Sequence, residues 1–121
     1  MNNTESRTIK ITAGDTVLTA KMCNNAAASD FLSLLPLSLT LTDYAGTEKV
    51  SELPRRLSTR DAPAGHKPSV GELTYYAPWD NLAIFYKDFG YASGLVALGK
   101  INTDIKPLKV AGTVQVKIEQ I

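Results

Sequence analysis

The chain has 121 residues, 44% of them hydrophobic, which is enough apolar material for one domain to bury a core without staples. Thirteen basic and twelve acidic side chains nearly cancel, and the one basic cluster, Arg55-Arg56 with Arg60 nearby, is too small for a nucleic-acid surface. Cys23 is alone, so no internal disulfide forms, and no apolar run approaches the ~18 residues that span a membrane.

The opening "MNNTESRT" is polar and lacks the apolar run of a signal peptide. Residues 1–6 read as a flexible tail on a single domain of residues 1–121. A cytoplasmic location is expected; an export signal already removed would leave no trace. "RTIKITAGDTVLTAKM" then reads as a hairpin: Ile9 and Ile11 alternate with polar residues, Gly14-Asp15 turns the chain, and Leu18, Ala20 and Met22 alternate on the return.

"NNAAASDFLSLLP" changes period. Asn24 or Asn25 is placed to cap a helix, because a short side-chain oxygen accepts from the free N–H groups of a first turn. Ala27, Phe31, Leu34 and Leu35 share one face at helical spacing, and Pro36 ends the run. "LSLTLTDYAGTEKVSEL" returns to period two, with Leu37, Leu39 and Leu41 on one side, a turn at Ala45-Gly46 and a strand from Thr47 to Ser51. "ELTYYA", "LAIFYK", "VALGKI" and "TVQVKIEQI" are further strands. About eight short strands and one helix, with no βαβ rhythm, imply a mainly β fold: a closed barrel, or a sandwich, with the helix capping an open end. "TVQVKIEQI" reads as a candidate edge strand, guarded by Lys117 and Glu119.

The stretch from Glu52 to Glu72 has three prolines and little periodicity. A structureless loop of that length is usually functional or mobile, and this one leads into the ring-rich "TYYAPWDNLAIFYKDFGY". That hairpin holds seven of the nine aromatic rings. Neighbours on a strand point to opposite faces, so Tyr75 and Tyr76 are not both core, nor are Phe85 and Tyr86. One face is expected to plug the barrel and the other to wall a groove. Tyr76, Trp79, Asn81, Tyr86, Phe89 and Tyr91 are the expected ligand-binding residues, with Arg56 and His66 supplying polar contacts. Arg55, or Arg56 in its place, would lean over the groove and donate to a carbonyl or carboxylate.

No metal or cofactor is expected, since Cys23 and His66 lack partners at ligand spacing. Ser58, Ser69 and Asp61 near His66 are read as ordinary loop residues, and no nucleophile elbow or P-loop is present.

"PSVGELTYYAPWDNLAIFYKDFGYASGLVALGKI", preceded by "LTLTDYAGTEKVSELPRRLS", resembles the cyclophilin-like proteins of bacteria and archaea. The resemblance covers nearly the whole chain and implies a closed cyclophilin-type β-barrel, often without an assigned activity. True cyclophilins are peptidyl-prolyl isomerases whose catalytic Arg binds the prolyl carbonyl, and the resemblance implies that Arg55 or Arg56 would take that role. The chain departs from their pattern: Ile84 stands where their Gln would fall, and Trp79 precedes the "NLAIFY" run where their Trp follows it. Three functions are therefore carried forward. The first is binding of a small ligand or an extended, proline-containing peptide in an aromatic groove. The second is a prolyl isomerase of low or altered efficiency. The third is a structural or interaction module acting through an edge strand or dimer contact. The oligomeric state is left open.

Overall fold

The computed structural model describes residues 7–121; the expected tail at residues 1–6 lies outside them. The first hairpin forms where its alternation places it, as β1 (Thr8–Ala13) and β2 (Thr16–Met22). Gly14 turns it at φ +62°, a backbone region costly to a residue with a Cβ. Ile9, Ile11, Leu18 and Ala20 are fully buried. The helix α1 (Ala26–Ser33) follows, capped by Asn25, whose side-chain oxygen accepts from the Ala28 N–H at 2.8 Å. The same Asn25 donates through Nδ2 to the carbonyl of Ala97, 2.9 Å away. One side chain thus starts the helix and ties it to the sheet. α1 contributes Ala27, Ala28 and Phe31 to the core.

The remaining strands are β3 (Leu37–Tyr44), β4 (Glu48–Glu52), β5 (Gly65–His66), β6 (Glu72–Tyr76), β7 (Asn81–Phe85), β8 (Ala92–Ser93), β9 (Leu95–Ile101) and β10 (Thr113–Gln120). Eight of them close a barrel in the order β1-β10-β3-β4-β7-β6-β9-β2, every pairing antiparallel. Of barrel and sandwich, the chain adopts the barrel. β5 and β8 form a separate two-stranded ribbon.

Two expectations are corrected. β10 is not an edge: it pairs with β1 on one side and β3 on the other, and closure removes the edge-strand form of the third function. The stretch between Glu52 and Glu72 is not structureless either. Leu53 and Leu57 are buried in the core, and the Ser58 N–H donates to Asp30 Oδ2 on α1 at 2.6 Å. Gly65–His66 pairs with Ala92–Ser93. Two leucines and a two-residue ribbon are too sparse to show as a period.

Inside the barrel Tyr75 is 1% exposed. Its hydroxyl accepts from the Leu57 N–H at 3.2 Å and donates to the Asp80 carboxylate. Lys49 is also fully buried, with Nζ donating to the carbonyls of Val110 and Gly112 and lying 3.6 Å from Asp43. A buried ammonium needs such acceptors, and here they fix the segment that leads into β10. Among the described residues no helix is long and apolar enough to cross a membrane.

Candidate functional site

The site is built from strand register. Side chains of one strand alternate between faces, so residues opposite each other on paired strands stand on the same face. Tyr44 on β3 lies opposite Glu48 on β4, which lies opposite Phe85 on β7. Two residues along, Val50 lies opposite Ala83. Two further along, Asn81 lies opposite Tyr76 on β6, which lies opposite Leu95 on β9. All are on the outside of the barrel, since the alternate residues Leu82, Ile84, Leu73 and Tyr75 belong to its core. The middle row is short and its neighbours are bulky, which leaves a hollow of about 200 Å³.

Trp79 and Phe89 wall this hollow from outside the strands. Trp79 sits on a 3₁₀ turn, Ala77–Trp79, that ends at Asp80 in the left-handed region, φ +62°. Its ring meets Tyr76 at 5.3 Å and 90° and Tyr44 at 6.0 Å and 79°, both edge to face. Phe89 packs against Phe85 at 6.0 Å. Tyr44, Trp79 and Phe89 are nevertheless 47%, 56% and 47% exposed. These rings hold each other without being covered.

Two polar groups break the apolar lining. The Asn81 side-chain oxygen is buried and has no hydrogen-bond partner among the described residues. The Glu48 carboxyl, half buried between Tyr44 and Phe85, is pushed up to about 7 by burial. Its neighbours on β3 and β4 face the other way. There Asp43 is held below the usual carboxylate range, chiefly because the Tyr86 hydroxyl donates to it. That same bond pushes the Tyr86 phenol up to about 12.

The sequence-derived residues separate. Tyr76, Trp79, Asn81 and Phe89 come together around the hollow. Tyr86 does not: it lies just past β7 and is held by Asp43. Tyr91 is exposed and its ring end stands over Gly65, where an added Cβ would lie 2.6 Å from it. Arg55 and Arg56 do not line the hollow. β4 ends at Glu52, the chain dives inward at Leu53 and again at Leu57, and Arg55 donates to Ser33 Oγ at the end of α1, 2.7 Å away. The expectation of a guanidinium leaning over the groove is therefore corrected.

His66 lies elsewhere, in an open depression of about 840 Å³ between the start of α1, the 58–63 loop and β9. Its Nε2 is 2.9 Å from Glu72 Oε2, while Ser69 donates to the other Glu72 oxygen through both N–H and hydroxyl, at 2.7 and 3.1 Å. The carboxylate stands between the histidine and the serine, so this is not the order in which a base activates a nucleophile. Among the described residues, no three His, Cys, Asp or Glu side chains cluster as a metal would need.

The expected site also omitted Tyr44 and Glu48. A signal existed: β3 buries its odd-numbered leucines, so Tyr44 must face outward, and the tight turn carries Glu48 opposite it. What placed that pair beside the aromatic hairpin was the β4–β7 pairing, which no local pattern announces.

The barrel resembles that of a hypothetical protein from Archaeoglobus fulgidus, solved in solution, with TM-score 0.67 at 16% identity over 96% of this chain and 95% of that one. That likeness concerns the fold. Curated protein sequences give no match. The sequence profile described as the cyclophilin-like family matches residues 11–119.

Proposed function

The chain belongs to the cyclophilin-like family, and on that premise we propose that it is a binding module whose ligand site is the outer hollow between Trp79, Tyr44, Tyr76 and Phe89. The observation that carries this reading is the half-exposed ring set. Three large aromatic side chains stay uncovered, yet each is held in position by a neighbouring ring around a concave floor. Preformed apolar concavities with a few placed polar groups are the usual form of a small-molecule site. The volume suits a small ligand or one side chain of an extended peptide, a proline included.

The isomerase reading is not favoured by the geometry. Rotation about the prolyl amide needs a strong donor at the carbonyl, and no Arg, Lys or His lines the hollow. The protein is expected to leave X-Pro isomerisation of a test peptide at its uncatalysed rate. A cytoplasmic location remains part of this proposal.

The chain has one tryptophan, and it is in the site, so its fluorescence reports occupancy directly. Titration with a panel of small amphiphiles and a proline-containing peptide is expected to give a saturable change. Val50→Phe places a ring in the hollow and should remove that change while the unfolding transition persists. A panel without any saturable response, or a response that survives Val50→Phe, refutes the reading.

A further inference from the structure

Among the described residues only one that lines the hollow, Glu48, has a carboxyl or a basic group, and its ionised form is negative. Glu48 has neither hydrogen bond nor ion pair among the described residues; Asp15, Glu52 and Asp61 also lack a side-chain partner, but they are exposed to water whereas Glu48 is half buried. The one lysine adjacent to it, Lys49, is turned into the barrel and engaged by Val110 and Gly112. The second polar group with an unmet need, Asn81 Oδ1, is also an acceptor. The rings add the same sign, because an aromatic face is the negative end of its quadrupole.

Trp79 stands nearly perpendicular to both Tyr76 and Tyr44. An edge-to-face pair covers one face of one ring only, and Tyr44 and Trp79 are both about half exposed. Five rings, one unpaired carboxyl and no cation line a space of about 200 Å³. An anion is repelled by this lining once Glu48 is ionised, and a neutral guest leaves that charge unbalanced. A bare ammonium is strongly hydrated and gives up that shell at a cost in a mostly apolar hollow. An alkylated ammonium is weakly hydrated and suits aromatic walls.

We propose that the hollow selects a small organic cation, with its alkylated ammonium head boxed by Trp79, Tyr76 and Tyr44 and its charge balanced by Glu48. The proposal rests on the hollow being a binding site and specifies the class of ligand. Pairing with a cation favours the ionised carboxyl, so affinity rises as Glu48 loses its proton. The titratable groups that face Glu48 are few. Tyr44 stands opposite on β3, and Phe85 opposite on β7 does not titrate. The Tyr86 phenol is taken by Asp43, which lies on the Lys49 side.

The test compares choline with dimethylbutanol, the uncharged alcohol in which carbon replaces the nitrogen. Both are titrated against the full chain by Trp79 fluorescence, with wild type, Glu48→Gln and Trp79→Leu, the last followed by calorimetry. Choline is expected to bind wild type about tenfold more tightly than the alcohol. Glu48→Gln should erase that preference. Trp79→Leu should weaken choline more than the alcohol. In wild type, choline affinity should rise from one pH unit below 7 to one above it, around the Glu48 value. That measurement needs no variant to fold. Equal binding of both probes overturns the cation and leaves the binding site standing. Binding of neither overturns the cation, and the panel titration with Val50→Phe decides separately whether the hollow binds at all.

Discussion

At the scale of the residue, Glu48 stands out as a carboxyl in the wrong place for stability. Burial raises it from 4.5 to about 7, so between those values the folded chain holds the proton more tightly than the unfolded chain does. Stability therefore falls as pH rises through that window and is flat below it. Glu48→Gln removes the ionisable group and should stabilise the protein by about 1 kcal/mol above pH ~7, a figure reduced for the solvent that screens a half-exposed group. Below pH ~4.5 the two proteins should coincide. Urea midpoints across pH decide it, and parallel curves for the two proteins would exclude the effect. A destabilising carboxyl is what a site shaped for a partner would carry. Its role was not legible in the sequence, because "TEKVSE" looks like any solvated strand. The position of Trp79 at a loop tip was legible from "APWDN", and the ring is 56% exposed there. Tyr86 misled, since its own ring pattern matches that of the groove residues while its hydroxyl had already found Asp43.

At the scale of the element, α1 is short and depends on its cap. Eight residues are too few to be helical alone, and no acidic residue supports the first turn. Asn25→Ala should cost about 2 kcal/mol, at the upper end for a lost cap, because the bond to the Ala97 carbonyl goes with it. Asn25→Asp keeps the cap acceptor and loses only the donor to Ala97. It should therefore fall between the two in thermal unfolding. An Asp variant as damaged as the Ala variant would show that the tie to β9 matters and the cap does not. The helix and its cap were readable because both signals are local. The β5–β8 ribbon was not, since two residues carry no period and their partner lies far along the chain.

At the scale of the whole molecule, closure sets the behaviour. β10 carries ladders to β1 and β3 at once, and Val116 and Ile118 are buried in the core. Deleting the last nine residues should abolish cooperative thermal unfolding, since it opens the barrel along two seams. A truncated chain that still unfolds cooperatively would show that the fold does not depend on closure through β10. The lesson generalises to the arginines. "LPRRLS" directly follows a strand whose outer face helps form the hollow, yet Leu53 and Leu57 turn inward and Arg55 bonds Ser33 at the end of α1.

The sequence alone determined the local periods: which segments are strands, roughly where the helix begins, and that adjacent rings face opposite ways. Those follow from side-chain alternation and capping, which act over a few residues. It also carried the family, through the run from the aromatic hairpin to "LGKI". The tertiary structure decided which strands are neighbours. Pairing β4 with β7 set Glu48 and Tyr44 beside Phe85, and closing β10 between β1 and β3 removed the edge. Contacts between strands distant in the chain depend on a core that all of them bury together, so no single segment records them.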